Sequence, residues 1–354
     1  MNVYRYEENP LLTPADVKPH RFDYEVIGAF NAGVTQFNDE IIMLLRVAER
    51  PVSDDPNIIK APVLNHKTGE LKVLSFHRED KTYDFSDPRA IKLAGQDSFV
   101  YLTSLSYFRI ARSKDGHRFT VDDKPFLFPK TSLETFGIED PRIARIEDTY
   151  YISFSEVSPV GVGTGFASTK DFVHVEHHGM MLAPENKDVV LFPEKINGKY
   201  YVLHRPVPKS TGAPEIWIAE SDNLRYWGNH RYLMGLRPNH WDNGRLGAGA
   251  APFKTEKGWL ELYHAADESH RYCMGAVLLD LEDPSKVLAR TNQPILAPEA
   301  SYEVEGFFGN VVFSCGALVD GDIVKIYYGV ADTSMACAEL SLHEILASLT
   351  YLEN

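Results

Sequence analysis

Apolar and polar positions along this chain fall into a repeated unit: a short apolar stretch, a two-residue turn, then a longer and strongly apolar stretch that closes on a polar or aromatic side chain. The unit recurs with turns at Asn38-Asp39, Glu147-Asp148, Asn197-Gly198, Lys257-Gly258 and Gly321-Asp322. The apolar stretches after these turns, over 41–46, 150–155, 200–204, 260–264 and 324–328, are too short for helices, and the turn residues are those of β-hairpins. Each predicted hairpin is followed by a second one, around Ser113-Lys114-Asp115, Lys170-Asp171, Ser221-Asp222 and Glu282-Asp283-Pro284, with a last one near 338–345. Five pairs of hairpins make five four-stranded units. Repeated radially, such units predict an all-β fold, a five-bladed β-propeller forming a single catalytic domain over 1–354.

The spacing between paired hairpins is similar in four units and much longer in the first. An insertion is therefore predicted at about 50–106, opening at the loop sequence Pro51-Val52-Ser53-Asp54-Asp55-Pro56, where it would cover one mouth of the channel. A linker between two domains is the other reading, but the stretch lacks Gly/Ser-rich or low-complexity character. Helices are expected only as short pieces, including one over 341–350.

Composition narrows the possibilities. Apolar residues at 44% and charged residues at 24% describe a globular chain, and no apolar run approaches the length of a membrane span. Residues 1–8 contain no apolar segment of a secretory signal, which points to the cytoplasm. Cys273, Cys315 and Cys337 are odd in number and lack metal-ligand spacing, so free buried thiols are expected and no metal is implied. A formal charge of −14 without a basic cluster excludes nucleic acid as partner. An anionic ligand would need a local basic pocket working against that field.

One stretch stands out chemically. In Phe136-Gly137-Ile138-Glu139-Asp140-Pro141-Arg142 two adjacent carboxylates lie between a glycine and a proline, and Pro141 should push Asp140 towards an extended backbone. A tight turn with Arg142 paired to Glu139 is the plain alternative. The predicted inner strands end in Arg46, Ser155-Glu156, His204-Arg205, His264 and Tyr328. If these ends meet at one mouth they converge with Asp140, and nearby loops add Asn31, Asn186-Lys187-Asp188, Arg245 and Tyr272. A carboxylate pair with several cations suits a substrate that has hydroxyls at one end and a dianion at the other. Each has a structural alternative: Arg46 paired with Glu49 or Glu40, His204 and His264 satisfied in the core, and Arg245 paired with Asp242.

The set Gly137-Ile138-Glu139-Asp140-Pro141-Arg142, Asn186-Lys187-Asp188-Val189-Val190-Leu191-Phe192-Pro193-Glu194-Lys195-Ile196, Tyr263-His264 and Met274-Gly275-Ala276-Val277-Leu278-Leu279-Asp280 resembles glycoside hydrolase family 130, the mannoside phosphorylases. The motifs Tyr4-Arg5-Tyr6-Glu7-Glu8-Asn9-Pro10 and Gly329-Val330-Ala331-Asp332-Thr333-Ser334-Met335 are similar to those of its bacterial members acting on β-1,2-mannobiose. The resemblance implies a five-bladed propeller and inverting, reversible phosphorolysis of β-1,2-mannobiose, or of short β-1,2-mannooligosaccharides, to α-D-mannose 1-phosphate and mannose. It makes Asp140 the proton donor, acting through a sugar hydroxyl. Arg46, Lys187, Arg245, His264 and Tyr272 become the expected phosphate ligands, and Asn31, Glu139, Asp188, His204, Arg205 and Asn310 the expected sugar-binding set. Inorganic phosphate is then a co-substrate, with no further cofactor. Phosphate is already an anionic nucleophile, so one acid and a cationic pocket suffice where a hydrolase needs a second carboxylate. A hydrolase of the same family, a β-1,4-mannosyl-glucose phosphorylase, a carbohydrate-binding propeller without catalysis and a scaffold for protein partners remain as alternatives. The acceptor sugar and the oligomeric state, including a homo-oligomer, are left open.

Overall fold

A computed structural model describes residues 1–352, and it is nearly all β. The strands form five principal antiparallel sheets. The first holds Tyr24–Phe37, Glu40–Pro51, Leu105–Ser113 and Thr120–Val121; the second Ile138–Ile146, Thr149–Ser158, Gly161–Thr169 and Glu176–Leu182. The third holds Asn186–Leu191, Tyr200–Pro206, Ile216–Ser221 and Gly228–Met234. The fourth is built on Arg245–Gly247, Phe253–Thr255, Gly258–Ala266, Tyr272–Leu279 and Val287–Thr291, and the fifth on Val312–Asp320, Ile323–Val330 and Ser334–Ser341.

The apolar faces explain how these sheets stack. Ile42 and Leu44 of the first sheet meet Ile143 and Ile152 of the second, and Ala144 and Phe166 of the second meet Leu191 and Val202 of the third. Leu203 and Ile218 of the third meet Leu246 and Val277 of the fourth; Leu260 and Leu278 of the fourth meet Val312 and Ile326 of the fifth. Tyr327 and Met335 of the fifth then pack on Val34 and Met43 of the first. Both faces of each sheet are therefore covered, which is why strict alternation is missing from the sequence. Fully burying one such aliphatic side chain contributes about 1.5–3 kcal/mol.

Three expectations change. No second hairpin forms at 338–345, because Ser341 caps a helix, Leu342–Ala347, accepting a hydrogen bond from the backbone N–H of Glu344. The fourth strand of the fifth sheet comes instead from the N-terminal segment Tyr4–Arg5, paired with Ser334–Ser341, while Leu349–Tyr351 extends the fourth sheet. The strands ending near Arg46, His204 and His264 lie second in their sheets, and the edge strand facing the neighbouring sheets is the one before each.

Between Glu40–Pro51 and Leu105–Ser113, which are hydrogen-bonded neighbours, the chain leaves the first sheet to form two small ones: Ile58–Asn65 with Glu70–His77, and Tyr83–Asp84, Ala90–Leu93 and Phe99–Leu102. Cys273, Cys315 and Cys337 are buried and unpaired. Among the described residues no helix is long and apolar enough to cross a membrane.

Candidate active site

The first strands of the first three sheets share one irregularity. Their pairing register shifts between Phe30 and Gly33, between Glu139 and Arg142, and between Lys187 and Val190. At each break one residue takes a left-handed backbone: Asn31 at φ 48°, Asp140 at φ 52° and Asp188 at φ 53°. Asn and Asp tolerate that conformation better than other side chains, and a bulge of this kind re-aims the residue it carries. The expected extended backbone at Asp140 is thus overturned: the bulge outweighs the preference set by Pro141. Gly137, at φ 112°, is needed for close approach, since a Cβ there would lie 2.7 Å from the backbone nitrogen of Ser106.

The three bulges open on a cavity of 610 Å³. On the wall made by the first and second sheets, Asp140 Oδ1 accepts from Arg46 Nη1 at 2.8 Å and from Asn31 Nδ2 at 2.9 Å. Arg46 also donates through Nη2 to Glu139 Oε1 at 2.8 Å and through Nε to Ser106 Oγ at 3.1 Å, and rests 4.6 Å from the Phe30 ring centroid. Burial disfavours the charge on Asp140, yet Arg46, Arg142, the Asn31 amide and Lys187 together hold its carboxyl below the ordinary range. Arg46 thus pairs with Glu139 and Asp140, rather than with Glu49 or Glu40.

The third and fourth sheets supply the other wall, where Lys187, Arg205, Arg245 and Tyr272 all line the cavity. The Arg245 guanidinium lies 5.9 Å from the Tyr272 ring centroid. Among the described residues neither Lys187 nor Arg245 has a carboxylate within ion-pairing distance; Asp242 instead is buried against Arg237 and Arg290. Asp188 is differently placed. Its Oδ1 accepts from Arg142 at 3.0 Å, and its Oδ2 lies 3.0 Å from Arg205 Nη2 and 3.1 Å from His264 Nε2. Burial opposes its charge, but Arg205, His264 and Arg142 hold it well below the usual carboxylate range.

Three expected ligands lie away from the cavity surface. His264 is fully buried behind Asp188 and 4.1 Å, ring to ring, from Phe313, and burial lowers its pKa despite the neighbouring carboxylate. His204 is a core histidine, held between Asn186 Oδ1 at 3.2 Å and His230 Nδ1 at 3.1 Å, with its pKa pushed down to about 3 first by burial and then by His230. Asn310 is exposed; its left-handed backbone accepts from the Tyr272 N–H at 3.0 Å, and the cavity is reached by the next residue, Val311.

Sequence reasoning passed over two residues. Asp332, left-handed at φ 52°, lines the cavity, and its carboxyl is raised to about 6 by burial, against the pull of Arg46 and with the help of Asp140. Its place just beyond Ile323–Val330, like that of Asp140 and Asp188 at a strand break, was the available signal. Arg142, assigned to Glu139 in the plain alternative, instead donates to the Asp140 carbonyl at 3.0 Å, to the Ala248 and Gly249 carbonyls and to Asp188. It ties two bulges to the fourth sheet. Chemically, the cavity offers Glu139, Asp140 and Asp188 paired with cations, Asp332 with its carboxyl raised to about 6, and two cations, Lys187 and Arg245, with no carboxylate at ion-pairing distance among the described residues.

A family model described as beta-1,4-mannooligosaccharide phosphorylase, glycoside hydrolase family 130, matches residues 103–351. The chain is 59% identical over 350 residues to a beta-1,2-mannobiose phosphorylase of Listeria innocua, covering 99% of both chains. It is 46% identical over 253 residues to a 1,2-beta-oligomannan phosphorylase of Thermoanaerobacter, covering 69% of this chain and 81% of that one. The solved structure of the Listeria innocua enzyme with beta-1,2-mannobiose superposes with a TM-score of 0.96, covering 98% of this chain and 99% of that one. Model match and sequence identity together place the chain in glycoside hydrolase family 130.

Proposed function

We propose that this protein cleaves β-1,2-mannobiose by phosphorolysis, releasing α-D-mannose 1-phosphate and mannose. The observation that carries the reading is a carboxylic acid, Asp140, set in a bulge of a cavity that is also lined by two cations, Lys187 and Arg245, with no carboxylate at ion-pairing distance among the described residues. Near-complete coverage by the Listeria innocua relative supports the substrate. The same reading takes the five sheets as blades of a β-propeller, supported by the apolar interfaces that run from each sheet to the next and from the fifth back to the first.

In this account Lys187, Arg245 and Tyr272 receive phosphate, while Asp140 protonates the departing oxygen, directly or through a sugar hydroxyl. The ion pair with Arg46 favours the charged form of Asp140. A dianion beside Lys187 cancels one of the charges that depress Asp140, and a sugar filling the cavity removes water, so substrate binding itself drives the acid towards its protonated form. Asn31 and Glu139 position that acid, Asp332 offers a carboxyl to sugar hydroxyls, and Asp188 with Arg205 and His264 stiffens the phosphate wall. Incubation with β-1,2-mannobiose should release mannose only when phosphate is present. Release at the same rate in phosphate-free buffer would make the protein a hydrolase.

A further inference from the structure

We infer that Arg142 is a positioning residue for the reaction: its guanidinium fixes the bulge that carries Asp140 relative to the strands that carry Lys187 and Arg245, and so sets the separation of acid and phosphate wall. The inference rests on the phosphorolytic reading. Arg142 lies in Ile138–Ile146, two residues after the acid, and at 2% exposure it sits behind the cavity surface rather than on it. Its side chain reaches four sheets. In the second, Nη1 donates to the Asp140 carbonyl at 3.0 Å; in the third, Nη2 donates to Asp188 Oδ1 at 3.0 Å. Just beyond Arg245–Gly247 in the fourth, the Ala248 carbonyl accepts from Nη2 at 2.9 Å and the Gly249 carbonyl from Nε at 3.1 Å. In the fifth, the Phe313 ring centroid lies 5.8 Å from the guanidinium carbon.

Each anchor is a neighbour of a group placed in the reaction. Asp188 follows Lys187, and Ala248 is close in sequence to Arg245. Asp140 itself is left-handed at φ 52°, a conformation that persists in a non-glycine residue only where its surroundings over-determine it. Arg46 and Asn31 hold its carboxyl, and Arg142 holds its carbonyl. The far anchor is fixed in turn. Gly249 N–H donates to Oε1 of the buried Glu261 at 2.8 Å, and a Cβ on Gly249 would lie 2.2 Å from the Leu262 carbonyl oxygen, so this backbone has little room to move. A planar guanidinium can serve all these acceptors at once, whereas a lysine ammonium is a point charge on a flexible stem. Misplacing reacting groups by about 1 Å can cost about 10²-fold in rate, which is why such a brace bears on turnover rather than on binding.

The test is the kinetics of Arg142→Lys, which keeps the charge and loses the fork. Its kcat for phosphorolysis should fall roughly 10²-fold while the phosphate KM stays within about 3-fold, and calorimetry should still find mannobiose bound at full stoichiometry. Asp140→Asn supplies a readout that a purely structural role would not move: with no acid left to place, adding Arg142→Lys should lower the residual kcat by less than about 3-fold. Glu261→Leu frees the Gly249 N–H without altering Arg142 or the cavity lining. It should repeat the pattern on a smaller scale, about 5-fold in kcat, and it carries the test if Arg142→Lys does not fold. Equal kcat losses with and without Asp140, an unchanged kcat, a phosphate KM that rises as far as kcat falls, or a mannobiose stoichiometry reduced in proportion to kcat would overturn the positioning role and leave phosphorolysis standing. A wild-type protein that releases mannose equally fast without phosphate would instead overturn the phosphorolytic reading.

Discussion

At Asp140 two requirements pull apart: a proton donor must carry a proton, yet Arg46 at 2.8 Å favours the carboxylate. The resolution proposed above, that substrate shifts the balance, makes residue-level predictions. Asp140→Asn should lower kcat by roughly 10²- to 10⁴-fold, the usual effect of a positioned acid, while calorimetry still detects mannobiose binding. Glu139→Gln should lower it less; the opposite ranking would exchange the two roles. Charged hydrogen bonds contribute about 1.5–3 kcal/mol, so Lys187→Ala and Arg245→Ala should raise the phosphate KM about 10- to 150-fold and leave sugar binding nearly unchanged. Arg46→Ala should behave differently, lowering kcat and the melting temperature together, because it strips the partner from two half-buried carboxylates. At this scale Asp140 was legible from its Gly/Pro frame and the cationic residues from their recurrence. Which cations are free was not: that Arg46 is bound to two carboxylates, and that His204 and His264 are walled off, depends on residues far apart in sequence.

Strand breaks matter as much as strands at the scale of elements. The turn chemistry of the hairpins was readable, since pairs such as Asn197-Gly198 encode their own geometry. The bulges at Asn31, Asp140 and Asp188 were not read, although each puts Asn or Asp where a strand should simply continue. The strand Thr149–Ser158 offers a test of its own. Near its end Glu156 is 3% exposed, Oε2 lacks a hydrogen-bond partner, and its carboxyl is raised to about 7, mainly by burial and further by Glu134. A folded-state value above the unfolded one means that the protonated acid favours folding at low pH. This contribution is complete below the ordinary Glu range near 4.5 and is lost as pH rises through about 7. Glu156→Gln should therefore melt higher than wild type at pH 8, with the gap closing below about pH 5. A gap independent of pH would show that Glu156 does not titrate in this window.

At the scale of the whole molecule, the N-terminal segment is paired with a strand near the other end of the chain. Tyr4–Arg5 completes the fifth sheet, and Arg5 Nε reaches the buried Glu303 at 2.8 Å, which also accepts from Tyr328 Oη at 2.7 Å. Sequence periodicity gave no hint of this pairing, because a two-residue strand has no period and its partner lies over three hundred residues away. Arg5→Ala leaves Glu303 without its cation and should cost about 3 kcal/mol in denaturant unfolding, as for other broken buried pairs. A loss of a few tenths would mean that the N-terminal strand is not a structural staple. The central claim, that one acid and a phosphate pocket cleave a β-mannoside with inversion, is tested most directly by following the reaction of β-1,2-mannobiose in phosphate buffer by proton NMR. The account predicts α-mannose 1-phosphate as the first sugar phosphate, appearing in step with one equivalent of mannose. Formation of the β-phosphate, or of two equivalents of mannose with no sugar phosphate, would contradict it.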